Sequence, residues 1–214
     1  MSSWRRRRTD AAALLASGVV VALGIALASH GVSDLEARIF HLVNDAPDWL
    51  YRPAWLAQFL GLLPAPAAVA VVALWFRRWR LAAALVLLIP LKLFVEKVVV
   101  KQVVYRARPG TSVCEGEVSC LHLRGDVPLV GPSFPSGHVI IACGIAWLVA
   151  PYVGVRWRWA LAAACLLVAL ARVYLGAHNP LDVLVGAACG VAVGAALNLV
   201  MGVPRQDSPV AEPR

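Results

Sequence analysis

A chain of 214 residues that is 60% hydrophobic and only 15% charged, with a mean hydropathy of +0.73, carries more apolar surface than a soluble core of that size can hide. This balance excludes an ordinary soluble domain and points to several membrane-spanning helices. The net charge of +8 does not mark a nucleic-acid partner, because the basic residues form short clusters beside apolar runs and not one soluble basic face.

Six apolar segments, residues 11–28, 54–76, 81–100, 139–155, 159–174 and 181–203, are each close to the ~20 residues that cross a hydrocarbon core. They predict an all-α protein, a six-transmembrane-helix bundle with one membrane domain over residues 11–203. Residues 1–10 form a basic N-terminal arm and residues 204–214 a polar tail, both short and expected to be disordered.

Arg5, Arg6, Arg7 and Arg8 precede the first segment, which ends near Ala26-Leu27-Ala28. That order also fits a cleaved secretory signal, but the apolar run exceeds the ~7–15 residues usual for one, which favours a retained span. Residues 33–44 carry a Ser33/Glu36 capping-box pair and repeat Leu35, Ile39, Leu42 and Val43 at helical spacing, the pattern of a short interfacial helix. Pro64 and Pro66 are expected to kink the second span. Within the third, Lys92, Glu96 and Lys97 are unusual for a membrane interior; Lys92 and Glu96 either pair at i, i+4 or line a path for lipid. Gly186, Gly190 and Gly194 recur every four residues on the last span. This spacing serves close helix packing within the chain, with the seam of a homo-oligomer as the alternative.

Sidedness follows from the connections. Arg5 to Arg8, Arg77, Arg78, Arg80, Arg156, Arg158, Arg205 and Arg214 place eleven basic residues on one side, against seven on the other: Arg38, Arg52, Lys101, Arg106, Arg108, Arg124 and Arg172. Positive charge marks the cytoplasmic side, so both termini are expected there, in a multi-pass protein of the cell membrane. Trp75, Trp79, Trp157 and Trp159 flank the inner ends, as interfacial anchors do. Of five cysteines, Cys143, Cys165 and Cys189 fall singly in apolar runs. Cys114 and Cys120 share an outer loop, in a compartment where a disulfide persists, so a bridge is favoured over free thiols.

This topology brings three polar clusters to the outer face: Lys101 with Arg108-Pro109, then Pro135-Ser136-Gly137-His138, then Arg172 with His178 and Asp182. Three cations aimed at one spot suit a group with several negative oxygens, and the arginine fork matches phosphate. Ser136, Gly137 and His138 open a span, where free N–H groups and a bare glycine admit an anion closely. Asn179-Pro180 reads as a helix start, with His178 just before it and Asp182 in its first turn. Asp182 accepting from one ring N–H of His178 would leave the other nitrogen free to attack phosphorus, while His138 protonates the leaving oxygen.

At these residues the chain resembles the type 2 phosphatidic acid phosphatase family. Its three blocks read here Lys101, six residues, Arg108-Pro109; Pro135-Ser136-Gly137-His138; and Ala171-Arg172, five residues, His178, three residues, Asp182. One departure is Ala171, where the family usually has Ser, a change expected to remove a hydroxyl from the phosphate pocket. The resemblance implies a phosphorylated His178, phosphate held by Lys101, Arg108 and Arg172, and no metal or other cofactor. Apart from Asp182 the matched residues include no carboxylate, so an oxygen cage for magnesium is missing from them. The implied activity is hydrolysis of a lipid phosphate or pyrophosphate at the extracytoplasmic face, with the bilayer and the lipid substrate as partners, no nucleic acid, and a second copy of the chain as the alternative use of the glycine face. The alternatives are a phosphotransferase using the same histidine and an inactive protein that binds or moves lipid phosphates. A soluble vanadate-type peroxidase shares such a pocket but not six apolar spans.

Overall fold

In a computed structural model, residues 3–202 of the chain are described, and among them no β-strand forms. The main helices are α1 (Ser3–Ala28), α2 (Asp34–Asn44), α3 (Tyr51–Ala57), α4 (Ala65–Trp75), α5 (Trp79–Leu93), α6 (Gly137–Val149), α7 (Val155–Tyr174) and α8 (Pro180–Met201). α5 runs on into a π-helical stretch, Phe94–Val100, and a closing α turn, Lys101–Val103.

Three helices are long and apolar enough to cross a membrane: Arg7–Ala28, Val155–Tyr174 and Pro180–Met201. The second expected span is broken, with Asp48–Gly61 and Ala65–Trp75 bent by 65° across the break, and counting this pair as one span makes four. Pro64 lies at the break, where its ring removes a backbone donor. The expected count of six is therefore not reached on length and composition. α5 and its extension together carry Lys92, Glu96 and Lys97, and the apolar run of α6 with the turn after it, Gly137–Tyr152, is short.

Hydrophobic burial contributes little between helices in lipid, so close packing must hold such a bundle together. α8 lies at its centre, against α1, α5, α6 and α7. A β-carbon on Gly186 would stand 2.8 Å from the Ser136 carbonyl oxygen, one on Gly190 2.4 Å from that of Ile140, and one on Gly194 3.0 Å from Cβ of Trp147. The glycine stripe is thus the α8 face that receives α6, so it serves packing within the chain and is not open as an oligomer seam. On the other side, Gly24 of α1 meets Val185 equally closely.

The N-terminal arm departs from expectation, being helical from Ser3. Arginine is a good helix former, and Asp10 anchors the turn that follows. The Asp10 carboxylate is buried and accepts from Trp147 Nε1 at 2.8 Å and Asn198 Nδ2 at 3.3 Å. The tail, 204–214, lies outside the described residues. α2 forms over the expected interfacial segment, with Ser33 accepting the Glu36 N–H at 3.3 Å.

Gly190→Ala is expected to destabilise the fold by about 1–3 kcal/mol through overpacking against α6. Gly18→Ala, where nothing stands within 4 Å, should leave the thermal midpoint in detergent unchanged. Equal midpoints for the two variants would contradict this placement of the stripe.

Candidate active site

The C-terminal end of α5 with its extension, the start of α6, the end of α7 and the start of α8 meet at one end of the bundle around a cavity of about 600 Å³. Lys101, Arg108, Gly137, His138, Arg172 and His178 all line it, together with Lys92, Glu96 and Gln58. Ser136 and Asp182 lie behind this lining, both fully buried. The Ser136 N–H donates to the Asp182 carbonyl at 3.0 Å, which ties the first turn of α6 to that of α8.

Asn179-Pro180 starts α8 as its sequence requires, and Asp182, three residues on, accepts the Asn179 N–H on Oδ2 at 2.8 Å. Its Oδ1 receives Arg106 Nη1 at 2.8 Å. With both oxygens engaged, the expected direct hydrogen bond to His178 does not form: His178 Nδ1 stands 3.7 Å from Oδ2, beyond hydrogen-bond reach. Asp182 acts on the ring through its charge, and Nδ1 has no hydrogen-bond partner. Burial holds the His178 pKa below its ordinary 6.5, aided by Arg172 and Arg108 and opposed by Asp182. The ring is accordingly neutral at pH 7, with Nδ1 turned toward the carboxylate.

The cations are braced from separate elements. Arg172 donates to Gln58 Oε1, and Arg108 Nη1 donates to the Ala177 carbonyl at 2.7 Å. Both keep a buried Nε without a hydrogen-bond partner, donor capacity that suits an anion's oxygens. Lys101 and Lys92 both pair with Glu96, Lys101 at 2.6 Å. Lys92 and Glu96 are four apart on a helix face, but Glu96 and Lys101 are five apart. In an α-helix that spacing turns about 140° round the axis, and the π-helical stretch brings Lys101 back over Glu96. A β-carbon on Gly137 would stand 2.8 Å from both Glu96 Oε2 and Lys92 Nζ, so a larger residue there would displace the ends of that ion pair. Lys92 and Glu96 thus pair with each other and also line the cavity.

Several residues that build the site were not singled out from the sequence. Arg106 reads as one more topology-setting arginine, yet it is buried and bridges Asp182 to Glu36. The Ser33/Glu36 spacing marks a capping box, but the Glu36 carboxylate turns away to Arg106 and to the Leu181 N–H, at 2.8 Å from the latter. Gln58 and Gly61 arrive through the break in the second span, Gly61 packing directly on the His138 backbone. Arg124 is buried across the loop, on Asp48 and the carbonyls of Asn44 and Tyr174. Ala171 lies away from the cavity, in an apolar cluster with Ala54, Ala57 and Tyr174, so the usual hydroxyl is not missed by the lining. Cys114 and Cys120 are bridged, with Cα atoms 5.6 Å apart. Among the described residues no group of three or more His, Cys, Asp or Glu side chains is arranged to hold a metal ion.

The sequence pattern of the PAP2 superfamily matches residues 79–205, more than half of the chain. No curated protein matches. Among solved structures, LpxE of Aquifex aeolicus is similar at 24% identity and a TM-score of 0.59, over 77% of this chain and 95% of that one. A transmembrane PAP2-type phosphatidylglycerolphosphate phosphatase from Bacillus subtilis is similar at 19% identity and a TM-score of 0.64, over 92% and 98%. At these identities the two structures establish a shared fold.

The cavity should bind inorganic phosphate, and Arg172→Gln should weaken that binding about tenfold or more, since each charge-assisted hydrogen bond lost is worth about 1.5–3 kcal/mol. Calorimetric titration of the detergent-solubilised protein checks this; unchanged affinity in the variant would remove Arg172 from the anion site.

Proposed function

The chain belongs to the PAP2 superfamily, and on that premise we propose that it is a membrane lipid phosphatase, acting on a lipid phosphate or pyrophosphate through a phosphohistidine formed on His178. One observation carries the proposal: a buried histidine backed by a carboxylate faces a cavity shared with His138, Lys101, Arg108 and Arg172, at one end of a bundle of apolar helices.

With Nδ1 toward Asp182, the Nε2 lone pair of His178 attacks phosphorus. The P–O bond to the lipid breaks, and His138 gives its proton to the departing oxygen. The Asp182 charge, 3.7 Å away, stabilises the positive charge that develops on the ring. Water then attacks the phosphohistidine, His138 takes its proton, and inorganic phosphate leaves. Lys101, Arg108, Arg172 and the N–H groups opening α6 neutralise the equatorial oxygens throughout. This cationic set supplies the charge stabilisation that a divalent ion supplies elsewhere, so the reaction is proposed to need none.

In this reading α1, the broken pair of α3 and α4, and α5 to α8 make six crossings, with both termini cytoplasmic and the cavity extracytoplasmic. Phosphatidic acid, phosphatidylglycerol phosphate and polyprenyl phosphates or pyrophosphates form the substrate range. The third of these blocks of helix, α5, brings its charges to the cavity and not to lipid, which supports a crossing despite them.

Purified protein should release phosphate from one or more of these lipids in the presence of a chelator. His178→Ala should abolish turnover. His138→Ala should slow a lipid alkoxide leaving group by on the order of 10²–10⁴ and p-nitrophenyl phosphate, whose leaving group needs no proton, far less. Activity that vanishes with chelator and returns with magnesium, or variants with near-normal rates, would overturn the assignment.

A further inference from the structure

The helix α2 precedes the region matched by the family pattern, yet it places a carboxylate next to the proposed catalytic centre. Glu36 Oε1 lies 2.9 Å from Arg106 Nη1 and Glu36 Oε2 contacts Arg106 Nη2, a two-pronged pair. Arg106 Nη1 also reaches Asp182 Oδ1 at 2.8 Å, and Nη2 the Gly31 carbonyl at 3.1 Å. Glu36 Oε1 further accepts the Leu181 N–H at 2.8 Å, so the same carboxylate grips the first turn of α8. The side chains of Arg106 and Asp182 are 2% and 0% exposed, and that of Glu36 is 11% exposed. None of the three lines the cavity.

We infer that Glu36 and Arg106 are positioning residues for the reaction, a buried charge relay from α2 that fixes Asp182 and sets how strongly Asp182 acts on His178. The inference rests on His178 being the nucleophile. Charges alternate along the line: Glu36 negative, Arg106 positive, Asp182 negative, His178 next. Arg106 draws on the Asp182 charge and so weakens its support for a protonated His178. Glu36 draws on Arg106 and restores that support. The other charged or titratable groups facing His178 are Arg172 from α7, Arg108 from the loop after α5, and His138 from α6. None of these is hydrogen-bonded to Glu36 or Arg106 through its side chain.

The signs of the two removals are therefore opposite. Arg106→Gln leaves Asp182 a stronger partner for His178, which raises the His178 pKa. Glu36→Gln leaves Arg106 with Asp182 as its one carboxylate, which lowers it. The reactive form of His178 is the neutral one, so the acid limb of the kcat/KM profile follows the His178 pKa, while the basic limb follows loss of the proton that His138 donates; the relay moves the acid limb. A merely structural role would reduce activity in both variants without moving the limb in opposite directions.

The test is the pH profile of kcat/KM for dioctanoyl phosphatidic acid, with full-length protein in detergent micelles and folding monitored by thermal unfolding. Wild type should show its acid limb below pH ~6.5, the ordinary His value. Arg106→Gln should move it up, and Glu36→Gln down, each by about half a pH unit or more. Both should lower kcat on the order of tenfold with KM within about twofold, because a displaced catalytic group costs rate more than binding. Glu36→Asp, which keeps the charge, should return the limb toward wild type, and it keeps the test decisive if Arg106→Gln does not fold. A wild type inert to this and the other proposed lipids overturns the phosphatase reading and this inference with it. An active wild type whose variants shift the same way, or not at all, overturns the inference alone.

Discussion

A carboxylate with no exposure to solvent, Asp182, imposes the arrangement of everything around it. Leaving such a charge uncompensated in a low-dielectric interior is costly, and truncating one member of a buried ion pair typically loses about 3–5 kcal/mol. The compensation comes from different parts of the chain: the Asn179 N–H at the start of α8, Arg106 in the loop after α5, and through Arg106 the Glu36 carboxylate of α2. Its own carbonyl takes the Ser136 N–H, which joins α6 to α8 at the same point. Satisfying one acid thus fixes the two helix starts that present His138 and His178.

Irregular backbone gathers where the cavity is. The break between Gly61 and Ala65 lets Gln58 reach Arg172 and seats Gly61 on the His138 backbone, and the π-helical stretch swings Lys101 onto Glu96. Within a bilayer such irregularity survives only where protein or a polar cavity satisfies the freed groups, and both segments border this cavity. The lysine pair on Glu96 holds two cations beside Gly137 while one carboxylate offsets part of their repulsion. These two departures from α geometry carry both the packing of the bundle and the placement of the cavity's charged groups.

Much of this was legible in the residues. Topology from hydropathy and charge put Lys101, His138, Arg172 and Asp182 at one end, and the cavity lining bears the shared location of the first three. The glycine stripe and the α8 start were equally readable, because periodicity and capping are local signals. What escaped depends on contacts distant in sequence. Glu36 and Arg106 are 70 residues apart, and nothing local separates a buried relay from a helix cap and an interfacial arginine. The Asp182–His178 contact differs in kind from the expected hydrogen bond, because the Asn179 N–H and Arg106 Nη1 claim both Asp182 oxygens. The N-terminal arm looked disordered because its anchor, Asp10, pairs with Trp147 and Asn198, far along the chain. Apolar runs predict six spans, and the charges of α5 and the shortness of α6 keep length and composition from establishing that number.

The central claim is that phosphate passes through His178. Rapid acid-free quenching of the enzyme turning over a 32P-labelled lipid phosphate, with chelator present, followed by peptide mapping, tests it most directly. The account predicts an acid-labile, base-stable label on the peptide containing His178, absent from His178→Ala and prolonged or diminished in no way by magnesium. Turnover without any labelled histidine, or label on His138 in place of His178, would contradict it.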